Sequence, residues 1–371
     1  MKIAIFHNFM DNIGGAEYVD LILARELNAD IYTTNIDKEK IKKMGFEDII
    51  PRIYSIGKIP INAPLRQELA YWKFRKLNLG KKYDFYIIAG DWAMSGAINN
   101  KPNFWYVYSP TREIWDLYKY TRKNSVKWYK RPIFDIWVFL RRKINKHDSR
   151  KVEKIISISK NVQNRVQKYL NRNSIVIYPP TETKRYKFKK FGDYWLSVNR
   201  LISHKRIDMQ IRTFKKVPNE KLIIIGSYEQ SGHFKEYTKY IHKIKPQNVE
   251  IISWASQEEL IELYANCKGL ITTSKDEDYG MAPIEAMASG KPVIAPNEGG
   301  YKETINNQTG MLIDNINEDK IIDAIKEIET WIKNNPKQLK KQCQKQAKIF
   351  DTKIFIEQIK KEINNIFIKP Y

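Results

Sequence analysis

One pattern constrains this chain more than any other. A short apolar run, a turn and a helix with apolar spacing recur along two separate stretches of sequence. The first instance stands at the start. KIAIFHN (2–8) is the apolar run, and DNIGGAE (11–17) places Gly14 and Gly15 after it. AEYVDLILARELN (16–28) then carries Val19, Leu23 and Leu27 on one helical face. Strand, glycine turn and helix open a doubly wound α/β domain. ADIYTTN, FYIIAG, FWYVYS, KIISIS and SIVIYPP continue the strand-like series up to Pro180. A basic, aperiodic connector follows, TETKRYKFKKFGD (181–193), and then the pattern restarts. YWLSVN, KLIIIG, VEIISW, GLITTS and PVIAP read as strands, with MQIRTFKKV, SQEELIELYANC and APIEAMAS as helical pieces between them. NEDKIIDAIKEIETWIKN adds a helix capped by Asn317, and 353–371 reads as another amphipathic helix. The chain has 371 residues, more than one ordinary core holds, so two α/β domains are expected. Their ligand is expected at the carboxyl ends of the strands, in a cleft between the domains.

Three stretches carry candidate chemistry. In SKDEDYGMAPIEAMASG (274–290), Pro283 suits a first helical position and Gly290 the position just past the helix end. Free amides near Gly280–Pro283, with the helix dipole, suit an anion. Gly280 permits close approach of a ligand to the backbone. Glu285, expected in the first turn, and Glu277, just before it, would repel a phosphate but suit sugar hydroxyls. Phosphate at amides and hydroxyls at two carboxylates describe a nucleotide-sugar. The plain alternative is a dipole-complementing glutamate beside a solvated acidic loop. In SVNRLISHKRID (197–208), Arg200 and Lys205 suit a diphosphate, with ordinary surface charge as the alternative. The Gly14–Gly15 turn alone says little, since neither G-x-G-x-x-G nor a P-loop pattern occurs. Asp276-Glu277-Asp278 resembles a D-x-D metal motif, but with five histidines in the chain further ligands are scarce, so no metal is expected.

Charge limits the partners. Lys and Arg total 65 against 42 Asp and Glu, a net +23. Such a surplus favours nucleic acid, an anionic membrane face or phosphorylated ligands, or else serves solubility. It concentrates between Lys119 and Lys154, where the only acids are Asp135, Asp148 and Glu153. Trp128, Tyr129, Phe134, Trp137 and Phe139 are interleaved there. That mixture suits an anionic lipid surface or single-stranded nucleic acid, unless the rings are core and the cations a solvated face. Cys267 and Cys343 stand alone, which implies no disulfide framework and a reduced, cytoplasmic setting. No apolar run approaches the roughly 18–20 residues of a membrane span, and the first residues are too briefly apolar for a signal peptide.

These motifs, taken in order, resemble a known family. EDYGMAPIEAMASGKPVIA (277–295) is similar to the E-x7-E signature of glycosyltransferase family 4 (group 1), retaining enzymes of the GT-B fold. GGAE (14–17) resembles its first glycine loop, and YSPTREIWD (108–116) a stretch of a mannosyltransferase-like branch. ISISKNVQNRV and IVIYPP resemble its end-of-domain segment, and NRLISHKRID its R-x4-K motif. EGGYKETI and TGMLI resemble its closing motif. The resemblance implies a GT-B fold, with two Rossmann-like domains facing each other across a cleft. They would span 1–183, joined by a returning C-terminal helix at 350–371, and 184–349. It implies a catalytic group of Glu277 on the transferred sugar, with Arg200 and Lys205 on the leaving diphosphate. Backbone amides of Tyr279, Gly280, Met281 and Ala282 would contact sugar and β-phosphate, and Glu285 the ribose. Gly14 and Gly15 would approach the phosphates, with Tyr108 and Arg112 in the same donor-binding set. The implied reaction moves a sugar, GDP-mannose being the first expectation for donor, to a glycan or lipid-linked acceptor. The donor is GDP-linked or UDP-linked, with no cofactor or metal. The acceptor hydroxyl would attack on the face of the departing phosphate, so no enzymic nucleophile is needed. The chain departs from the pattern twice: Tyr108 stands where the branch has His, and Asn199 where a Gly usually precedes the arginine. An epimerase or phosphorylase of the same fold, a binding-only relative and a nucleic-acid-binding protein remain the alternatives. Peripheral docking on the inner membrane face is expected through the basic 119–154 segment.

Overall fold

The computed structural model describes residues 1–61, 65–226 and 232–368. They form two parallel-sheet α/β units, as the alternating pattern requires. The first sheet contains β1 (Ile3–Phe6), β2 (Asp30–Thr33), β3 (Ile53–Ser55), β4 (Phe85–Ile88), β5 (Asn103–Val107), β6 (Lys154–Ser157) and β7 (Ile175–Val176). Its order is β3-β2-β1-β4-β5-β6-β7, with every pairing parallel. The second sheet contains β8 (Tyr194–Val198), β9 (Lys221–Ile225), β10 (Val249–Ile252), β11 (Leu270–Ile271), β12 (Val293–Pro296) and β13 (Gly310–Ile313). Its order is β10-β9-β8-β11-β12-β13, also parallel throughout. Strands covered by helices on both faces are apolar at successive positions, which is why IAIF and FYII are buried along their whole length.

Strand order reverses between β1 and β4 in the first sheet and between β8 and β11 in the second. At such a reversal the connecting helices leave to opposite faces, opening a crevice at the carboxyl ends of the strands. The Gly15–Leu27 helix follows β1 there, and Met281–Ala288 follows β11.

One unit comprises Met1–Pro179 with the C-terminal stretch from Phe355, and the other Pro180–Ile354. The transition thus lies a few residues from the expected 183/184 and 349/350. Thr181 makes a parallel bridge to Asp351, and its N–H donates to the Phe350 carbonyl at 2.9 Å, which ties both ends of the second unit together. The helix expected over 350–371 runs Thr352–Ile368, and residues 369–371 lie outside the described residues. It belongs to the first unit from Phe355, whose ring meets Tyr106 at 5.6 Å between centroids, while Glu362 pairs with Lys154.

The basic segment differs in part from its reading as a row of free cations and rings. Phe134 and Trp137 are half-buried and stack on each other at 5.6 Å, whereas Trp128, Tyr129 and Phe139 are exposed. Arg141 is buried and ion-paired with Glu68. Arg142 donates to the Ile114 carbonyl at 2.7 Å and lies over the rings of Trp115 and Tyr118. These two arginines are structural groups.

Candidate functional site

The second unit assembles its candidate site from the loops after β8, β11 and β12. After β8 the chain passes exposed Arg200 and makes a short turn at Ser203–Lys205. Arg206, left-handed at φ 51°, then leads into the Ile207–Lys216 helix. The loops are stitched by backbone and arginine contacts. The Lys275 N–H donates to the His204 carbonyl at 2.9 Å. Arg206 donates to the Thr273 carbonyl at 2.5 Å and to the Glu298 carboxylate at 3.2 Å. Glu298 in turn accepts from the Asp276 N–H at 3.1 Å.

Glu277 sits at the centre of this frame. Its carboxylate pairs with the Lys205 ammonium, and the Tyr301 hydroxyl lies 3.4 Å away. Burial opposes the charge, but the Lys205 ammonium and its hydrogen bond outweigh it, so the carboxyl is pushed down to about 2. Glu277 is therefore an anion at neutral pH and accepts hydrogen bonds; it is no proton donor. Two glycines fix its backbone. Gly299 has φ 57°, and a Cβ there would stand 2.3 Å from the Glu277 carbonyl oxygen and 2.7 Å from its nitrogen. The Gly300 N–H donates to the same carbonyl at 2.8 Å. No side chain fits between these loops, which explains the glycine pair of EGGYKETI.

The Met281–Ala288 helix begins at Gly280, left-handed at φ 89°, where a Cβ would meet the Tyr301 ring at 2.6 Å. The helix starts two residues earlier than its sequence suggests. Pro283 is its third residue and remains tolerated because the first amides of a helix have no internal acceptor. Gly290, at φ 72°, ends it as expected. The early start corrects the placement of Glu285, the fifth helical residue and so beyond the first turn. Burial raises its carboxyl above the usual range, while hydrogen bonds from Tyr264 and Tyr186 counter that. Tyr264 donates at 2.8 Å. Of the residues meant to offer amides, Tyr279 is buried with its ring 6.1 Å from Phe350, while Gly280, Met281 and Ala282 are half-exposed.

In the first unit, Gly14 caps the Gly15–Leu27 helix in an extended conformation, and Gly15 is exposed. Tyr108, just after β5, donates to Asp20 at 2.6 Å and is 3.2 Å from the Ala16 carbonyl. Arg112 forms an ion pair with Asp116 at 2.7 Å. Sequence reasoning missed the group that Tyr108 joins. His7, at the end of β1, places Nδ1 2.5 Å from Asp20 and Nε2 3.7 Å from Glu17. Burial alone would lower the imidazole, but Asp20 and Glu17 push it up to about 10. His7 thus lies buried between Asp20 and Glu17, which favour its protonated form, while burial raises the Asp20 carboxyl. The available signal was Asp20, an acid inside the apolar run VDLIL and three residues after Glu17.

Known proteins resemble this chain in sequence and in fold. Residues 179–350 match the model of the family described as Glycosyl transferases group 1. The match covers nearly the whole of the second unit, Pro180–Ile354. An uncharacterized glycosyltransferase of Methanocaldococcus jannaschii is 28% identical over 219 residues, 58% of this chain and 59% of that protein. The chain thus spans less than two thirds of that relative. The alpha-1,3/1,6-mannosyltransferase ALG2 of Candida glabrata is 26% identical over 370 residues, 82% of this chain and 78% of its own length. Among solved structures, Anabaena HepE in complex with UDP-glucose superposes with a TM-score of 0.75 at 17% identity, covering 98% of this chain and 100% of that one. Both units therefore belong to the GT-B class of fold, two parallel-sheet α/β domains.

Proposed function

We propose that this chain is a group 1 glycosyltransferase that retains anomeric configuration and moves a sugar from a nucleotide-diphospho-sugar to a glycan or lipid-linked acceptor, without a metal. The observation that carries the reading is Glu277, held anionic by Lys205 and fixed by the Gly299–Gly300 turn at the start of the Met281–Ala288 helix. An anionic carboxylate there accepts from the donor sugar's hydroxyls. The amides of Gly280, Met281 and Ala282, with Arg200 and Lys205, receive the diphosphate. Glu285, framed by Tyr264 and Tyr186, takes the ribose hydroxyls. The acceptor oxygen bonds to the anomeric carbon as the bond from that carbon to the phosphate oxygen breaks. The acceptor proton passes to the departing diphosphate. Rate then comes from positioning and from cations preorganised around the leaving group. Mannose is the first donor sugar to test, on the likeness to the ALG2 mannosyltransferase, and glucose the second, on the HepE complex.

A thermal-shift panel of GDP, UDP and their sugars, followed by product analysis with anomeric NMR in EDTA, tests the proposal. A stabilising nucleotide diphosphate and an α-linked product from an α-linked donor are expected. Arg200→Ala with Lys205→Ala should weaken donor binding by about tenfold to a hundredfold, the loss of a charge-assisted hydrogen bond. Glu277→Ala should lower turnover more than nucleotide affinity. An inverted product, or activity that EDTA abolishes and a divalent cation restores, would refute the retaining or the metal-independent part. No response to any nucleotide would refute the whole.

A further inference from the structure

The Arg131–Ser149 helix buries charged side chains and exposes large apolar ones. The face turned into the protein buries Val138 together with four polar side chains, Arg141, Asn145, Asp148 and Ser149, while Trp137 and Ile144 pack against the core. Each charge there has its partner. Arg141 pairs with Glu68, which also accepts from the Trp137 indole at 2.7 Å. Asp148 accepts from Tyr71 at 2.9 Å and from Arg75 at 3.0 Å. The outward face of the first turns is apolar instead. Ile133, Ile136, Phe139 and Leu140, with Trp128 and Tyr129 just before the helix, are exposed between 52% and 76%. A helix whose outer face meets only water would not carry such a patch, because exposed isoleucine, leucine and tryptophan gain nothing from solvent.

Charge surrounds the apolar face. Lys123, Lys127 and Lys130 precede it and are exposed; Lys143 and Lys146 follow it, with the Lys143 ammonium 4.3 Å from the centre of the Phe139 ring. The acids nearest in sequence do not offset them. Asp135 is taken by Arg122 at 2.8 Å and by Tyr118 at 2.7 Å, and Asp148 is buried. Apolar side chains in the centre and cations at both ends match a bilayer surface: hydrocarbon and ring groups enter the headgroup boundary while ammonium groups meet lipid phosphates. No helix among the described residues is long and apolar enough to cross a membrane, so contact through this face is contact from one side.

We infer that the Trp128–Leu140 face docks the first unit onto an anionic lipid bilayer, with Trp128, Ile133, Ile136, Phe139 and Leu140 inserted and Lys127, Lys130 and Lys143 on the headgroups. The inference stands on this surface alone and goes beyond the reaction proposed above.

Sedimentation of the full chain with vesicles tests it, using phosphatidylcholine with phosphatidylglycerol against phosphatidylcholine alone. The wild type should pellet with the anionic vesicles at low salt and be released as salt rises. Joint replacement Ile133→Ser, Ile136→Ser, Phe139→Ser and Leu140→Ser should abolish pelleting. Joint Lys127→Glu, Lys130→Glu and Lys143→Glu should weaken it by at least about fivefold per cation removed. All substituted side chains are exposed, and an unchanged melting temperature would show that each variant folds. The inference is overturned if the wild type stays in the supernatant at low salt, if it binds neutral vesicles equally well, or if the serine variant binds undiminished. It is also overturned if the wild type ignores vesicles and forms a dimer that the serine variant lacks, which would make a second copy the occupant.

Discussion

Replacing Lys205 with methionine is expected to release Glu277 from its ion pair and to loosen the loop that presents it. The magnitude follows from the carboxyl itself. A shift from 4.5 to about 2 is worth about 3 kcal/mol between the charged and neutral forms. The two side chains retain 13% and 17% exposure, so solvent screening reduces the net coupling to about 2 kcal/mol. The sign with pH is fixed: the folded carboxyl is depressed, so its contribution is complete above 4.5 and is lost as pH falls toward about 2. Because the chain has two units, one global unfolding curve would mix their transitions. Hydrogen exchange read by mass spectrometry over residues 270–300 reports on this loop alone. A double-mutant cycle of Lys205→Met and Glu277→Gln at pH 7 should give a coupling of about 2 kcal/mol, and at pH 3 clearly less. A coupling below about 0.5 kcal/mol at pH 7, or one unchanged at pH 3, would refute the assignment of Glu277 as an anion held by Lys205.

Three further outcomes are expected. His7 is raised from 6.5 to about 10, so its contribution is complete below pH 6.5 and is lost as pH rises through about 10; hydrogen-exchange protection over residues 3–27, corrected for intrinsic exchange, should fall more between pH 7 and 10 in the wild type than in His7→Gln, and equal slopes would contradict the raised imidazole. Tyr108→Phe removes the donor to Asp20 and leaves a buried carboxylate oxygen short of a partner, which should cost about 1–3 kcal/mol in hydrogen-exchange protection of residues 3–27. Gly299→Ala and Gly80→Ala share φ 57°, but only the former drives a Cβ into the Glu277 backbone; Gly80→Ala should cost about 1–2 kcal/mol from backbone strain, and Gly299→Ala more, with loss of nucleotide binding in a thermal-shift assay.

Local periodicity in the sequence determined two parallel-sheet domains, because strands buried on both faces must be apolar throughout and their crossover helices must carry a stripe. KIAIFHN followed by AEYVDLILARELN is legible in that way, and so is YWLSVN followed by MQIRTFKKV. β3 (Ile53–Ser55) was not legible, since an edge strand with only Ile53 buried has no apolar run to announce it. The stretch carrying Glu277, Gly280 and Glu285 was legible as a ligand loop, yet Glu285 moved out of the first turn because the helix begins at Met281. The closure of Gly299 and Gly300 on Glu277 joins loops more than twenty residues apart, and only the β11–β12 pairing brings them into register. The His7–Asp20–Tyr108 group likewise draws on β1, the following helix and the end of β5. The buried ions of the Arg131–Ser149 helix are tertiary in the same sense. Its buried Arg141 is stabilised by Glu68, 73 positions away, and a charge can turn inward only where the fold supplies its partner.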